Sequence, residues 1–290
     1  MLAVAGLVAM TATGCNVDEA KRLGVPEPTT KEAPIILHLW QGSWIAALAV
    51  GALVWGLILW SVIFYRRKRT GVEIPPQTRY NVPIEVLFTV VPFIMIAVLF
   101  FFTARDESKL TTLHKNPDVT VNVVGRQWSW TWNYNYDAVT QKETPGKLAV
   151  YDMGTPNEYP VLWLPVNERV RFSLTSPDVI HSFWVPNWLF KMDVVPGRVN
   201  QFEVTPTKEG EFVGRCAELC GVDHAYMLFH VKVVSAAEYE QHLKDLATKI
   251  DPVTGKAQVG QAPVGFNPNG VPLRVGPLTG IGNDTTGKEK

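Results

Sequence analysis

The segment GRCAELCGVDHAYMLF, residues 214–229, decides how this 290-residue sequence is interpreted, because it gathers metal-binding side chains in one polar, glycine-flanked loop. Four such residues occur in it: Cys216, Cys220, His224 and Met227. A fifth, His181, lies upstream in SPDVIHSFWVPN. Thiolate and thioether sulfurs are soft ligands, and together with imidazole they favour copper. The segment therefore predicts a copper site.

The second cysteine distinguishes one copper ion from two. A mononuclear blue copper site uses two histidines, one cysteine and a distant methionine, which would leave one thiol free beside a redox metal. With two copper ions, both thiolates bridge the metals and each ion takes one histidine. Met227 and a backbone carbonyl then complete the two sets of ligands, so the residues favour a dinuclear centre.

Other roles for the same residues are alternatives. Cys216 and Cys220 could form a disulfide in an extracytoplasmic domain, but the nearby histidines and methionine have no role in that arrangement. Structural zinc prefers paired cysteine and histidine ligands and has no use for Met227. His230, in the apolar run MLFHVKVV, is interpreted as structural.

Composition excludes some classes of protein. Lys+Arg and Asp+Glu are balanced at 27 each, whereas a nucleic-acid-binding protein usually carries a basic excess. We therefore predict no nucleic-acid partner. Three cysteines are too few for a disulfide-stapled scaffold.

Two uncharged runs, residues 42–64 and 86–104, are long enough to cross a membrane, because a hydrocarbon core of about 30 Å needs roughly 20 apolar helical residues. We predict transmembrane helices over residues 38–65 and 84–104. Pro92 should kink the second helix, which neighbouring helices can accommodate.

The loop between these helices, residues 66–83, is predicted to be cytoplasmic. It carries RRKR at 66–69 and Arg79, and positive residues concentrate on the cytoplasmic side of a membrane. The N-terminal segment 16–37 and everything after the second helix are then extracytoplasmic. Both termini are expected to lie outside a cell membrane that the chain crosses twice.

Residues 1–15, MLAVAGLVAMTATGC, form an apolar leader that ends in a cysteine. The leader is similar to the end of a bacterial lipoprotein signal, in which Cys15 is lipidated and becomes the mature N-terminus. A positively charged start is missing, and Ala12 stands where such signals usually have leucine. An ordinary secretory signal is the alternative.

From about Val119 the pattern changes to short strands. The runs VTVNVV, VRFSL, VNQFEV and MLFHVKVV are separated by Pro, Gly, Asn and Asp, a spacing typical of an all-β sandwich or barrel. We assign residues 118–235 to this domain. A short helix capped by Ser235 is predicted over 236–250, and the Gly/Pro-rich residues 251–290 are predicted to be an extended or disordered tail.

The loop also carries a family resemblance. CAELCGVDHAYM and HSFWVP resemble the copper A segments of subunit II of bacterial haem–copper cytochrome c oxidases, and the likeness extends from the first span to about Ser235. The resemblance implies a two-helix transmembrane hairpin followed by an all-β cupredoxin sandwich or barrel. It also implies a dinuclear copper A centre in this chain, with haem bound only by a partner subunit.

The resemblance assigns copper ligands residue by residue. The implied ligands are His181, Cys216, the main-chain carbonyl of Glu218, Cys220, His224 and Met227. The family uses the side chain of the same glutamate on a magnesium ion shared with subunit I, so that role is implied for Glu218 as well.

The tryptophan run GRQWSWTW matches the aromatic run that precedes the core of the family's copper domain. Trp128 corresponds to the tryptophan through which electrons enter from cytochrome c. Alternation along a strand places Trp128, Trp130 and Trp132 on one side, so some of them are expected to be packing residues. The resemblance favours Trp128 for contact with the donor.

Two further segments match the family. Glu85 corresponds to an acidic residue at the cytoplasmic mouth of a proton channel into subunit I. An ionisable group at a membrane boundary is a functional candidate, and an interfacial carboxylate without a role is the alternative.

KMDVVPGRVNQ matches a segment that packs against subunit I, with Asp193 and Arg198 as candidate interface charges.

The chain departs from the family pattern after the aromatic run. TWNYNYDAV carries only Asp137 where members served by soluble cytochrome c carry several acids, and residues 138–160 resemble an inserted loop. Asp178 keeps one acidic position. Electrostatic steering of a mobile basic donor is thus weakly supported, and we predict a tethered c-type cytochrome held partly by the inserted loop.

These observations predict the electron-transfer subunit of a membrane-bound cytochrome c oxidase. It takes electrons from a c-type cytochrome and passes them to haem in subunit I, where oxygen is reduced to water and protons are translocated. Subunits I and III and membrane lipid are further predicted partners. Three rivals are a copper-free quinol oxidase subunit, a copper-delivery or storage protein, and nitrous oxide reductase, which is soluble and needs a second large domain.

Overall fold

A computed structural model describes residues 17–66, 69, 71, 74, 77–155, 158–251 and 255–262. The chain divides into two compact units, one containing Ile35–Lys109 and the other containing Val25–Pro34 and the residues from Leu110 onward. The predicted lipidation of Cys15 and part of the predicted basic loop lie outside the described residues.

The first unit is built on long apolar helices. A short helix α1 spans Val17–Lys21, and it is followed by α2 (Ala33–Phe64) and α3 (Val82–Thr111). At 32 and 30 residues, α2 and α3 are about 48 and 45 Å long, more than a bilayer core requires. Their most apolar stretches have no side chains buried inside the protein, as expected for helices that face lipid.

Both long helices extend beyond the predicted spans of 38–65 and 84–104. The helix α2 begins at Ala33, and α3 continues through the charged residues near Lys109 to Thr111. In α3, charged residues end the hydrophobic run without ending the backbone hydrogen bonding of the helix. The residues that α2 adds, 33–37, are uncharged and continue the apolar run toward the N-terminus. The helix α3 also continues through Pro92.

The second unit contains twelve described strands followed by one helix. The strands are β1 (Val119–Arg126), β2 (Ser129–Tyr134), β3 (Tyr136–Asp137), β4 (Lys142–Glu143), β5 (Val150–Met153), β6 (Val161–Pro165), β7 (Val170–Thr175), β8 (His181–Val185), β9 (Phe190–Val194), β10 (Asn200–Val204), β11 (Gly210–Cys216) and β12 (Leu228–Val234). The helix α4 spans Ala236–Thr248, and its N-cap Ser235 accepts a hydrogen bond from the Glu238 amide.

The strands form two five-stranded sheets, in the orders β10-β7-β1-β2-β5 and β6-β12-β11-β8-β9. The pairs β1/β7 and β6/β12 are parallel, and the other strand pairs in these sheets are antiparallel. Aromatic rings join the sheets: Trp130 and Trp132 on β2 meet Phe183 and Phe229 of the other sheet edge-on at 5.2–6.2 Å. Such rings each bury a large apolar area. The predicted apolar helix pair followed by an all-β sandwich is confirmed.

Residues 138–160 are not a loop throughout. They contain β4 and β5, and β5 is an edge strand paired with β2, with Asp152 opposite Trp132. The prediction of a loop was wrong for β4 and β5, because strands of two and four residues are too short to give an alternating pattern.

The start of the predicted extended tail is also structured. Asp251 and Gln258 are buried, Val259 pairs with Val150, and the Gly260 amide donates to the Ala149 carbonyl. This segment forms hydrogen bonds with backbone groups at the open edge of β5, which would otherwise be unpaired. Because these hydrogen bonds join residues that are far apart in the chain, the sequence shows no periodic pattern for them. The rest of the tail lies outside the described residues.

Candidate metal centre

Three strand ends bring the candidate ligands together. His181 is the first residue of β8 and Cys216 is the last residue of β11, and these strands are antiparallel neighbours with Cys216 opposite Phe183. The Cys216 amide donates to the carbonyl of Met227, immediately before β12, at 3.0 Å. Because neighbouring antiparallel strands begin and end at the same edge, these residues meet at one end of the sandwich.

The two cysteine sulfurs form the middle of the site, 3.9 Å apart. The Sγ of Cys216 lies 3.9 Å from Nδ1 of His181 and 3.2 Å from the carbonyl oxygen of Glu218. The Sγ of Cys220 lies 3.6 Å from Nδ1 of His224 and 3.7 Å from Sδ of Met227. Each sulfur is therefore accompanied by one imidazole nitrogen and one further candidate ligand, and all six predicted ligand groups converge.

Cys216 and Cys220 are free thiols. A disulfide bond holds its sulfurs about 2.05 Å apart, and 3.9 Å is far outside that length. The structure therefore does not contain the disulfide that was the alternative interpretation of this pair.

Most of the candidate ligands are shielded from solvent. His181 is 0% exposed, and Cys216, Cys220 and Met227 are 5%, 3% and 1% exposed. Behind them, the indole of Trp130 donates to the carbonyl of Met227 at 3.4 Å and meets the His181 ring edge-on. His224 is half-buried in a short 3-10 turn at the surface. The centre thus has a dry, aromatic interior side and one histidine near solvent.

Gly125 on β1 makes room for this packing. A Cβ at this position would lie 3.1 Å from Trp130 and 3.3 Å from His181, closer than ordinary contact. The missing side chain lets the imidazole and the indole approach the strand.

The two thiols differ in acidity. Burial raises the pKa of both thiols. At Cys216, hydrogen bonds with His181 and with the backbone of Glu218 and Ser182, together with the charge of His181, outweigh burial and bring the pKa down to about 7. Burial, followed by the charge of Cys216, raises the pKa of Cys220 to about 12. Two thiolates this close repel each other, so holding both in the ionised form requires a cation between or beside them. This demand and the soft donor set fit copper.

Asp178 is hydrogen-bonded to Nε2 of His181, the ring nitrogen that faces away from Cys216. Its Oδ1 lies 2.9 Å from Nε2 of His181, and its Oδ2 accepts the Gln127 amide at 2.7 Å. Burial alone would lower the pKa of His181, but the hydrogen bond with Asp178 and the contact with Cys216 outweigh it and raise that pKa. Burial alone would raise the pKa of Asp178, but hydrogen bonding with His181 and two backbone amides lowers it. Such a partner fixes which ring nitrogen is available to a metal.

The three tryptophans of the aromatic run occupy two environments. Trp130 and Trp132 are fully buried in the core. Trp128 lies in the turn before β2, is half-buried, and donates from Nε1 to the carbonyl of Cys220 at 3.2 Å. The expectation that some of the three are packing residues is confirmed for Trp130 and Trp132. Trp128 is the one of the three that contacts the candidate centre and is also partly exposed.

The other predicted site residues lie as follows. Glu218 is exposed on the cysteine loop, and Asp193 and Arg198 are exposed on and after β9. Glu85 accepts the Asn81 amide at 2.9 Å, while the Asn81 side chain accepts the Ile84 amide. This reciprocal arrangement caps α3, so Glu85 has a structural contact in addition to its predicted role.

Gln127 and Asp178 also contact the candidate centre, and the sequence alone does not predict these two contacts. The sequence marks Asp178 only as an acidic position. Its place three residues before His181 was the available signal, but spacing alone does not show a hydrogen bond. Nothing in the sequence marks the contacts of Gln127.

The chain is similar in sequence to known proteins. Residues 119–234 match the family model described as "Cytochrome C oxidase subunit II, periplasmic domain". The chain is 58% identical to a probable cytochrome c oxidase subunit 2 of Streptomyces coelicolor, over 90% of this chain and 88% of that protein. It is 37% identical to cytochrome c oxidase subunit 2 of Mycobacterium tuberculosis, over 84% and 80%.

A solved structure is also similar. The periplasmic domain of subunit II of cytochrome oxidase from Bradyrhizobium japonicum is 31% identical, covers 46% of this chain and 96% of its own, and has a TM-score of 0.38. The identity and coverage of the full-length relatives carry the conclusion: the chain belongs to the cytochrome c oxidase subunit II family.

Proposed function

We propose that this chain is the copper-bearing electron-transfer subunit of a cytochrome c oxidase, accepting electrons from a c-type cytochrome and passing them to haem in subunit I. The convergence of two thiols, two imidazoles, one thioether and one carbonyl at the end of the sandwich carries the proposal. The fate of the electrons, reduction of oxygen to water with proton translocation, belongs to the assembled oxidase.

The proposed ligands are His181, Cys216, the Glu218 carbonyl, Cys220, His224 and Met227, holding two copper ions. Two observations support two ions over one: each sulfur has its own imidazole, and both cysteines are buried in the site. When bound, the copper supplies a centre that gains and loses one electron at a time. The chain contributes closely packed strand ends and a mostly water-excluded pocket, which keep the ligands in place in both redox states.

Trp128 is proposed as the residue through which electrons enter. It reaches solvent and also contacts the main chain of Cys220, whereas Trp130 and Trp132 are enclosed in the core. A docked donor can meet only the first of the three.

The donor is proposed to be a tethered c-type cytochrome. Around the centre, Leu219, Val222 and Tyr226 are 77%, 84% and 65% exposed. Exposed apolar patches mark interaction sites, and these three side chains carry no charge for long-range capture of a mobile donor. A donor held at high effective concentration does not need such capture.

Four finer assignments complete the proposal. The exposed Glu218 side chain is proposed to bind a magnesium ion shared with subunit I, and subunit III is a further partner. Glu85 is proposed to stand at the mouth of a proton channel. The helices α2 and α3 are proposed to span the cell membrane, with the loop between them cytoplasmic and the copper domain and both termini outside.

Copper analysis of the full-length chain tests the proposal. The protein is purified in detergent, and its copper content and electron spin resonance spectrum are recorded. Two copper ions sharing one unpaired electron, with haem-bearing subunits co-purifying, are expected. Absence of copper would favour a quinol oxidase subunit, and readily exchangeable copper without partner subunits would favour a copper-delivery protein.

A further inference from the structure

Gln127 is hydrogen-bonded to both of the loops that carry candidate copper ligands. Its backbone amide donates to Oδ2 of Asp178 at 2.7 Å. The other oxygen of that carboxylate is hydrogen-bonded to Nε2 of His181. Its side-chain Nε2 donates to the carbonyl of Cys220 at 2.8 Å, in the cysteine loop. Gln127 therefore links the segment before β8 to the segment after β11.

Trp128 and Gly221 lie next to the hydrogen bond between Gln127 and Cys220. Trp128 donates to the same Cys220 carbonyl at 3.2 Å, so this one oxygen accepts two hydrogen bonds from consecutive residues. Gly221 follows Cys220 with φ of +126°, and a Cβ there would lie 2.9 Å from Trp128 and 3.1 Å from Nε2 of Gln127. Glycine suits this backbone conformation, and its missing side chain admits both donors.

We propose that Gln127 is a positioning residue that fastens the two ligand-bearing loops to each other and fixes Trp128 against the cysteine loop. Its side chain touches the centre only through the main chain of Cys220. Losing this hydrogen bond leaves the Cys220 carbonyl with Trp128 alone. The two loops are then joined mainly by the pairing of β8 with β11 and can move more freely beyond it. The inference rests on the proposed function only where it concerns copper, because the hydrogen bonds themselves join protein groups.

Three variants separate the hydrogen bond from the bulk of the side chain. Gln127→Glu keeps the size but replaces the donor with a carboxylate facing a carbonyl oxygen. Gln127→Asn keeps the amide but is one methylene shorter, and Gln127→Ala removes the group. The matched control is Gln241→Ala, because Gln241 is exposed on α4 and bonds only within that helix, to Asp245 at 2.8 Å.

Copper release is the first measurement. The copper-loaded full-length chain in detergent is mixed with excess chelator, and the rate of copper transfer is followed. Gln127→Glu and Gln127→Ala are expected to release copper roughly two- to tenfold faster, the effect of one net hydrogen bond, with a changed hyperfine pattern in the spin resonance spectrum. Gln241→Ala should match the unaltered protein. Unchanged rates and spectra in the Gln127 variants overturn the proposal.

Hydrogen exchange of the copper-free full-length chain is the second measurement. Amides of residues 178–181 and 217–227 are expected to exchange faster in the Glu and Ala variants at position 127, and Gln127→Asn should fall between these and the unaltered protein. Unchanged exchange in either segment overturns the proposal. If the unaltered chain binds no copper but the variants exchange faster, the proposed function fails and the positioning role stands.

Discussion

The carboxylate of Asp178 lies 2.9 Å from Nε2 of His181, and the opposite nitrogen of that ring faces the sulfur of Cys216 at 3.9 Å. The same carboxylate accepts the Gln127 amide. One acidic side chain therefore orients a buried candidate ligand and anchors the turn that carries Trp128. This contact gives Asp178 a structural role at the centre, separate from attraction of a basic donor.

Asp178→Ala should lower the affinity for copper by about 10- to 100-fold, the usual cost of removing a hydrogen-bonding partner of a metal ligand. The His181 ring loses the contact that orients it. Competition with a chelator of known affinity, on the full-length chain in detergent, measures the effect. Glu240→Ala on the exposed face of α4 is the control, and equal affinities for the two variants would contradict the positioning role.

Trp128→Ala should slow oxidation of the c-type cytochrome while leaving the copper content unchanged. Truncating a central aromatic residue of an interface costs about 2 kcal/mol, so KM for the donor should rise roughly thirtyfold. Trp128→Phe keeps an aromatic face and loses only the hydrogen bond to Cys220, so it should retain most of the docking. Steady-state donor oxidation in the assembled oxidase is the measurement, and unaltered kinetics in Trp128→Ala would remove the assignment.

Glu203→Ala should destabilise the sandwich by roughly 3–5 kcal/mol, because it leaves a partly buried cation without its partner. The Glu203 side chain is 4% exposed and accepts hydrogen bonds from Arg171 at 2.7 and 2.9 Å, and its other oxygen lies 2.7 Å from Nδ1 of His114. Thermal and denaturant unfolding of the full-length chain measure the loss. Glu211→Ala, at an exposed position of β11, should unfold like the unaltered protein.

His242 should make the β-domain less stable in mild acid. Its ring stacks on Trp163 at 4.1 Å, and its buried Nε2 has no hydrogen-bond partner among the residues that the structure describes. Burial, opposed by Asp245 and reinforced by Lys249 and Lys232, lowers the pKa of His242 to about 4.

Since the folded pKa is depressed, the unfolded chain binds this proton first as the pH falls below about 6.5. Stability is then lost progressively between about pH 6.5 and pH 4, by roughly 1–2 kcal/mol once solvent screening of the part-exposed ring is included. His242→Phe keeps the stacking and cannot titrate. Unfolding temperatures of both proteins at pH 7.5 and pH 5 are the measurement; an equal decrease in both would contradict the prediction.

Local sequence determined the identity of the candidate ligands and the two classes of segment in the chain. Cys216, Cys220, His224 and Met227 are close in sequence, so their chemistry could be interpreted before any fold was known. The long apolar runs likewise indicated α2 and α3, because a helix in lipid must satisfy its backbone internally and present apolar side chains outward. These features depend on residue type and spacing along one segment.

Tertiary structure alone decided which distant groups meet. His181 reaches Cys216 across 35 positions, Gln127 reaches Cys220 across 93, and Ala262 donates to Asn133 across 129. The separation of Trp128 from Trp130 and Trp132 was decided in the same way, by the turn that precedes β2. Hydrogen bonds between remote segments depend on strand order and on the directions of side chains at strand ends, and neither leaves a periodic signal in the sequence.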